Sequence, residues 1–347
     1  MTTPKPAGRR VPLSILDLAP RSQGMDHKQA LEESALTAQA AEQQGYERFW
    51  VAEHHNSEVF LSSATSLILG YLAERTSTIR LGSGGVMLPN HAPLMVAEYY
   101  GTLATLYGDR FDLGLGRAPG TDPLTAAALR RGNPELDTFA SDVGDLAKYL
   151  DDPAPNAKVR AYPGQGTKVP LWMLGSSFGG ARVAAALGLP FAFASHFAPQ
   201  HLRQAVDLYR KEFKASAPTA QVSEPTVMAG IVALVAPTQE EAEFLFTTQQ
   251  LMAVRIRTGQ VAPLDPPVQD ISEVLPPTLV PMADDVMGVH AVGDPQRVVA
   301  EMQTFVDEYE LDEVIVATYT HDPELRRRSM GLLAEHWLPN AQTQAAS

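Results

Sequence analysis

The sequence predicts an α/β fold, a closed (β/α)8 TIM barrel with a lid or insertion near 259–293. Three observations predict it. Eight short apolar runs alternate with longer amphipathic ones along the 347 residues. The length suits one barrel unit as well as it suits two smaller domains. No internal repeat and no break into two halves is present, although a doubly wound open sheet would need fewer strands or such a break.

Residues 11–17 (VPLSILD) read as the first strand. Asp26 is placed to N-cap a helix running to Gln44, and Gly45 is placed to end it. Residues 49–52 make a short second strand, 63–74 a helix and 79–83 a third strand. Pro93 suits the first turn of a helix over 93–106. The fourth strand is 111–116. The stretch 122–151 is mostly helical and longer than one crossover needs. A Pro- and Gly-rich link, 152–170, leads to a fifth strand at 171–174, a helix at 177–187, a sixth strand at 191–194 and a helix at 200–214. The seventh strand, 226–235, is expected to be longer and more exposed. A long helix covers 240–257. Residues 259–293 are Pro-rich with no clear period and too long for an ordinary connection. A helix at 295–309, the eighth strand at 313–317 and a helix at 323–337 complete the series. One domain is expected over 11–339, with flexible tails at 1–10 and 340–347.

Composition narrows the function. At 45% hydrophobic and 19% charged residues the chain can bury a sizeable core. It has 27 basic and 40 acidic residues, a net charge of −13, which argues against a general nucleic-acid binder. The absence of cysteine excludes disulfides, iron–sulfur clusters, thiolate zinc sites and Cys nucleophiles, and fits a cytoplasmic protein. No apolar run is long enough for a transmembrane helix, and the polar N-terminus lacks the apolar stretch of a signal peptide. No HExxH, paired-His or carboxylate cluster completes a metal site, so none is expected. GxSxG is missing, and the lone Gly114-x-Gly116 lacks the third glycine of a dinucleotide fingerprint.

Five strand ends carry unusual residues, and a barrel places its chemistry at those ends. After strand 2 stand Glu53, His54, His55 and Asn56. After strand 3 come Gly84 and Gly85, then Asn90 and His91. After strand 4 comes Arg117 between Gly116 and Ala118. After strand 5 runs GSSFGG, from Gly175 through Ser176, Ser177 and Gly179 to Gly180. After strand 6 comes Ser195-His196-Phe197. The GSSFGG run opens a helix, so bare amides and two hydroxyls can face an anion with the helix dipole behind them. A plain turn with a Ser cap would read the same way. Arg117, on the neighbouring strand end, can close on the same anion. Gly84-Gly85 would let a flat ring lie against backbone; a tight turn is the alternative. His54 and His55 face opposite ways if the strand persists, so one of them enters the mouth.

Together these segments resemble the bacterial luciferase-like flavin monooxygenase family. The resemblance rests on GYERFWVAEHHN, IRLGSGGVMLPNHAPLMVAE, GDRFDLGLGRAPG and PLWMLGSSFGGARVAAALGLPFAFASHF, in that order. It implies an FMN-using barrel, usually dimeric, whose reduced flavin comes from a separate NAD(P)H:flavin reductase and which oxygenates a small organic substrate with O2. It also implies roles. Arg117, Ser176, Ser177 and Gly180 would hold the FMN phosphate, with Gly179 and His196 also contributing to the cofactor site. Gly84 and Gly85, through a cis peptide, would support the ring. Leu16 and Asp17 would floor the pocket. His54 would handle a proton, with His55 orienting it, and 259–293 would be the mobile loop. The light-emitting enzymes carry a reactive Cys where this chain has Gly116, so a long-chain aldehyde substrate does not carry over. Three other readings stand beside this one: a deazaflavin-dependent hydride-transfer enzyme, a non-catalytic flavin-binding protein and a metal-dependent barrel hydrolase.

Overall fold

A computed structural model describes residues 5–129, 138–285 and 288–338. Its strands are β1 (Leu13–Asp17), β2 (Arg48–Val51), β3 (Arg80–Met87), β4 (Phe111–Gly116), β5 (Leu171–Gly175), β6 (Phe191–Phe193), β7 (Val227–Val235), β8 (His290–Gly293) and β9 (Glu313–Ala317). The helices are α1 (His27–Gln43), α2 (Thr65–Ala73), α3 (Pro93–Tyr107), α4 (Pro123–Ala128), α5 (Phe139–Leu150), α6 (Phe178–Leu187), α7 (Leu202–Glu212), α8 (Gln239–Arg257), α9 (Val280–Asp284), α10 (Pro295–Tyr309) and α11 (Pro323–Trp337). Strands β1 to β7 pair in sequence, all parallel; β7 then pairs with β9 and β9 with β1. That ring of eight is a closed (β/α)8 barrel.

Local chemistry sets the boundaries. Asp26 accepts from the Gln29 amide while the Gln29 side chain accepts from the Asp26 amide, a capping box that starts α1. Asp294 and Asp322 cap α10 and α11, each followed by Pro in the first turn. Along the strands, side chains alternate between two cores. Leu13, Ile15, Phe49, Val51, Leu113 and Val314 pack outward against the helices. Leu16, Trp50, Trp172, Ala192, Met228 and Ile315 fill the lumen.

The lumen floor is ionic. Arg48 bonds Asp112 at 2.7 Å and Glu313 at 2.9 Å, and Arg80 reaches Asp112 at 2.7 Å. Ser14 donates to Glu313 and Trp50 Nε1 to Asp112. Above this layer Trp50 and Trp172 meet edge to face at 5.5 Å. The N-terminal end of the barrel is thereby filled, which leaves the C-terminal end for a ligand.

Three expectations need revision. Strand β7 is buried throughout, not exposed. Its Val227–Ala229 end pairs with β6, while Val232–Val235 pairs with β8, a strand the Pro-rich 259–293 stretch conceals. The same stretch also holds a short 3-10 turn, Ile271–Glu273, and α9. Residues 5–10 are tied down: Lys5 pairs with Asp312, the Gly8 amide with Asp307, and Arg10 lies over Trp337 at 4.3 Å. The expected helical stretch 122–151 contains α4 and α5; 130–137 between them, and the tail 340–347, lie outside the described residues. Among the described residues no helix is long and apolar enough to cross a membrane.

Candidate functional site

The turn after β5 and the residue after β4 meet. Ser177 is extended and precedes α6 without making a side-chain cap bond. The first amides of this ten-residue helix have no partner within the helix itself. Arg117 crosses from the adjacent strand and lies on that first turn: a carbon added at Gly179 would sit 3.2 Å from Arg117 Nη2. A guanidinium and the positive end of a helix dipole thus share one place, an arrangement suited to an anion. Gly175 and Gly180 pack backbone to backbone, where side chains would hold strand and helix apart. Ser176, Ser177, Gly179 and Gly180 are all partly exposed.

Beside β4, whose end leads into Arg117, the neighbouring strand β3 passes through Gly84 and Gly85, joined by a cis peptide bond. A side-chain carbon at Gly84 would fall 2.6 Å from Leu16 Cδ1 and 3.1 Å from Trp50 Cβ. A side chain there would have to displace Leu16, and although it lies mid-strand Gly84 is partly exposed. The main chain of β3 therefore offers a bare surface to the lumen beside Leu16. Gly116 packs beneath Met87, whose Sδ lies 2.8 Å from where its side chain would begin.

Two histidines line the same mouth. His54 Nδ1 and His196 Nδ1 are both buried and without a hydrogen-bond partner. His196 lies over Gly230, and its nearness to His54 helps keep it neutral. Burial depresses both imidazoles, each to about 4. Both are therefore neutral at pH 7, able to accept or donate one hydrogen bond. Phe60 packs 5.5 Å from the His54 ring and 6.0 Å from Tyr319. Leu264, from the long segment after α8, joins this lumen cluster. That segment is anchored: the Leu264 and Gln23 amides exchange bonds with Arg21 and Leu264 carbonyls, and Arg255 grips Asp265 at 2.6 Å and 2.8 Å. It roofs the lumen.

Two of the expected residues stand apart from this mouth. Asp17 shares the outward parity of Leu13 and Ile15. Its carboxylate takes Ser34 from α1, Arg326 from α11 at 2.7 Å and the Ala19 amide at 3.1 Å. It is spent in the helix layer, so Leu16 alone of that pair faces the lumen. His55 turns away from His54 and bonds Glu53 at 2.8 Å. Glu53 itself, Asn90, Phe60 and Tyr319 were not singled out as site residues. An acidic residue closing an apolar strand just before two histidines was the available signal for Glu53. Phe60, Tyr319 and Leu264 come from loops whose orientation no period reveals. Among the described residues no cluster is arranged to hold a metal ion.

The model of the luciferase-like monooxygenase family matches residues 11–138 and 147–309. The chain belongs to that family. It is 45% identical over 325 residues to a luciferase-like monooxygenase of Escherichia coli (strain K12), covering 93% of this chain and 96% of that one. Its fold superimposes on the crystal structure of apo-MsnO8 with a TM-score of 0.87, at 36% identity, over 94% of this chain and 98% of that one. Two more distant structures share the fold alone. One is the oxygenating constituent of a Pseudomonas putida diketocamphane monooxygenase in complex with FMN (TM-score 0.71, 15% identity, 95% and 98% covered). The other is an F420-dependent tetrahydromethanopterin reductase of Methanopyrus kandleri (0.65, 18%, 96% and 99%).

Proposed function

We propose that this luciferase-like monooxygenase uses FMN, receives it reduced from a separate NAD(P)H-dependent reductase, and oxygenates a small organic substrate with O2 in the cytoplasm. The observation that carries the reading is Arg117 seated on the first turn of α6, at the end of the strand that neighbours the Gly84-Gly85 surface. Arg117, the Ser176 and Ser177 hydroxyls and the Gly179 and Gly180 amides would hold a phosphate. Gly84, Gly85 and Leu16 would support a flat ring. Reduced FMN, when bound, supplies the electrons that activate O2.

The chain's own residues supply the rest. His54 Nδ1, neutral and unpartnered, is available to hold or pass a proton at the ring edge. His196 presents a second neutral nitrogen from the opposite wall. Phe60, Tyr319 and Leu264 keep water from the space between them. The deazaflavin reading is the competitor, and the longer anionic tail of F420 would ask for cationic side chains beyond Arg117.

Tryptophan and flavin fluorescence, followed during titration with FMN and with F420, tests the choice. FMN is expected to bind at micromolar or lower concentration and F420 much more weakly. Tighter binding of F420 would overturn the FMN assignment.

A further inference from the structure

The buried carboxylate of Glu53 touches none of the groups just assigned to a cofactor or substrate, yet three strand-end loops hang on it. Glu53 is 1% exposed. Its Oε1 takes His55 Nε2 at 2.8 Å and Asn90 Nδ2 at 3.0 Å; its Oε2 takes the Met87 amide at 2.9 Å; and His91 Nε2 lies 3.0 Å from both oxygens. A carboxylate only accepts, so both imidazoles donate from Nε2. Burial works to raise this carboxyl, but the bonds from His91, His55 and Asn90 outweigh it and hold it below the usual range. It is an anion with four N–H donors on about four lone-pair sites, fully satisfied.

The hub reaches the loop that carries Arg117. Asn90 Nδ2 also donates to the Pro119 carbonyl at 3.2 Å, the His55 amide donates to the Gly120 carbonyl at 3.2 Å, and Thr121 Oγ1 donates to the His55 carbonyl at 3.1 Å. Pro119 and Gly120 lie two and three residues after Arg117. On the other side, Met87 lies two residues past Gly85 on β3.

Resting on the FMN reading, we propose that Glu53 is a positioning residue for phosphate recognition: it clamps the β2, β3 and β4 loops together and so fixes Arg117 over α6. A glutamine in its place offers one acceptor oxygen and puts an NH2 group against donors. Two or more of the four donors then lose their partner, and the Pro119–Gly120 turn loses its support.

The test is the ratio of dissociation constants for riboflavin and FMN, which differ only by the phosphate. It is measured by flavin fluorescence on the wild type, Glu53→Gln and Asn90→Ala, with the thermal midpoint of each. The wild type should prefer FMN by about 100-fold or more, the scale of two charge-assisted hydrogen bonds. Glu53→Gln should lower that ratio about tenfold while leaving riboflavin affinity within about twofold. Asn90→Ala removes one bridge to Pro119 and keeps the histidine bonds, so it should lower the ratio less; it decides the matter if Glu53→Gln does not fold. Variants with lowered midpoints but an unchanged ratio would show a merely structural role and overturn the assignment. A wild type that does not distinguish the two flavins would remove the phosphate site itself, and this inference with it.

Discussion

His54 and His196 show how burial decides what an imidazole does. Each has its Nδ1 in the lumen with no partner, and desolvation lowers each to about 4. In the unfolded chain both would titrate near their ordinary 6.5. Between pH 6.5 and 4 the unfolded state therefore binds more protons at these two sites, so their contribution to stability is fully present above pH 6.5 and is lost as the pH drops towards 4. Thermal midpoints measured from pH 4 to 7 should fall on the acid side, and the fall should be shallower in a His54→Asn/His196→Asn double variant. Equal slopes in the two proteins would contradict the depressed values. A second outcome concerns His54 alone. His54→Ala should bind FMN within about threefold of the wild type, because it leaves the Arg117 turn intact. It should nevertheless oxidise NADH through the reductase without forming oxygenated product, read as a loss of coupling of about 100-fold. Normal turnover would refute the proton role.

The strand-end segments that gather at the mouth stood out in the sequence because small residues, a lone Arg and paired His are conspicuous after apolar strands. Asp17 was misplaced for a definable reason. It ends β1, but parity without a fixed origin cannot say which face is inward, and Arg326, some 300 residues away, decides it.

At the scale of elements, most strands and helices were visible because their periods differ and Asp and Pro mark the starts of α10 and α11. Strand β8 was not. Its four residues are too few to show a period, and the partner that stabilises them, β7, lies 55 or more residues earlier. The barrel floor was hidden for a related reason. Arg48, Arg80, Asp112 and Glu313 sit on four different strands, and only the long-range pairing of β9 with β1 brings Glu313 to the others. That network is demanding, since a buried ion left without its partner is costly. Asp112→Asn should destabilise the protein by about 3 kcal/mol, seen as a lower midpoint of urea unfolding. A change below about 0.5 kcal/mol would show that the floor tolerates an unpaired guanidinium.

For the whole molecule, α1, α2 and α3 lie side by side and present Leu36, Leu67, Met95, Tyr99 and Leu106 to solvent, with Leu67 at 75% and Leu106 at 67% exposure. Single exposed apolar residues are ordinary, but five large ones on adjacent helices suit a subunit contact. The proposal is a homodimer through this face. Sedimentation equilibrium should give twice the chain mass for the wild type and a shift towards monomer for Leu67→Glu; a monomeric wild type would remove the proposal. The barrel itself was legible because length, strand count and alternation all agree on it. The roof over the lumen was not, because Leu264 and Asp265 are held by contacts with residues 21–23 and with α8, and not by any local pattern.

The central claim is that a flavin phosphate sits between Arg117 and the Ser176–Gly180 turn with its ring against Gly84 and Gly85. A crystal structure of the protein soaked with FMN tests it most directly. The account predicts density for the phosphate within hydrogen-bonding distance of the Arg117 guanidinium and the first amides of α6, and for the ring facing His54. FMN bound elsewhere, or a mouth into which it does not enter at millimolar concentration, would contradict the account.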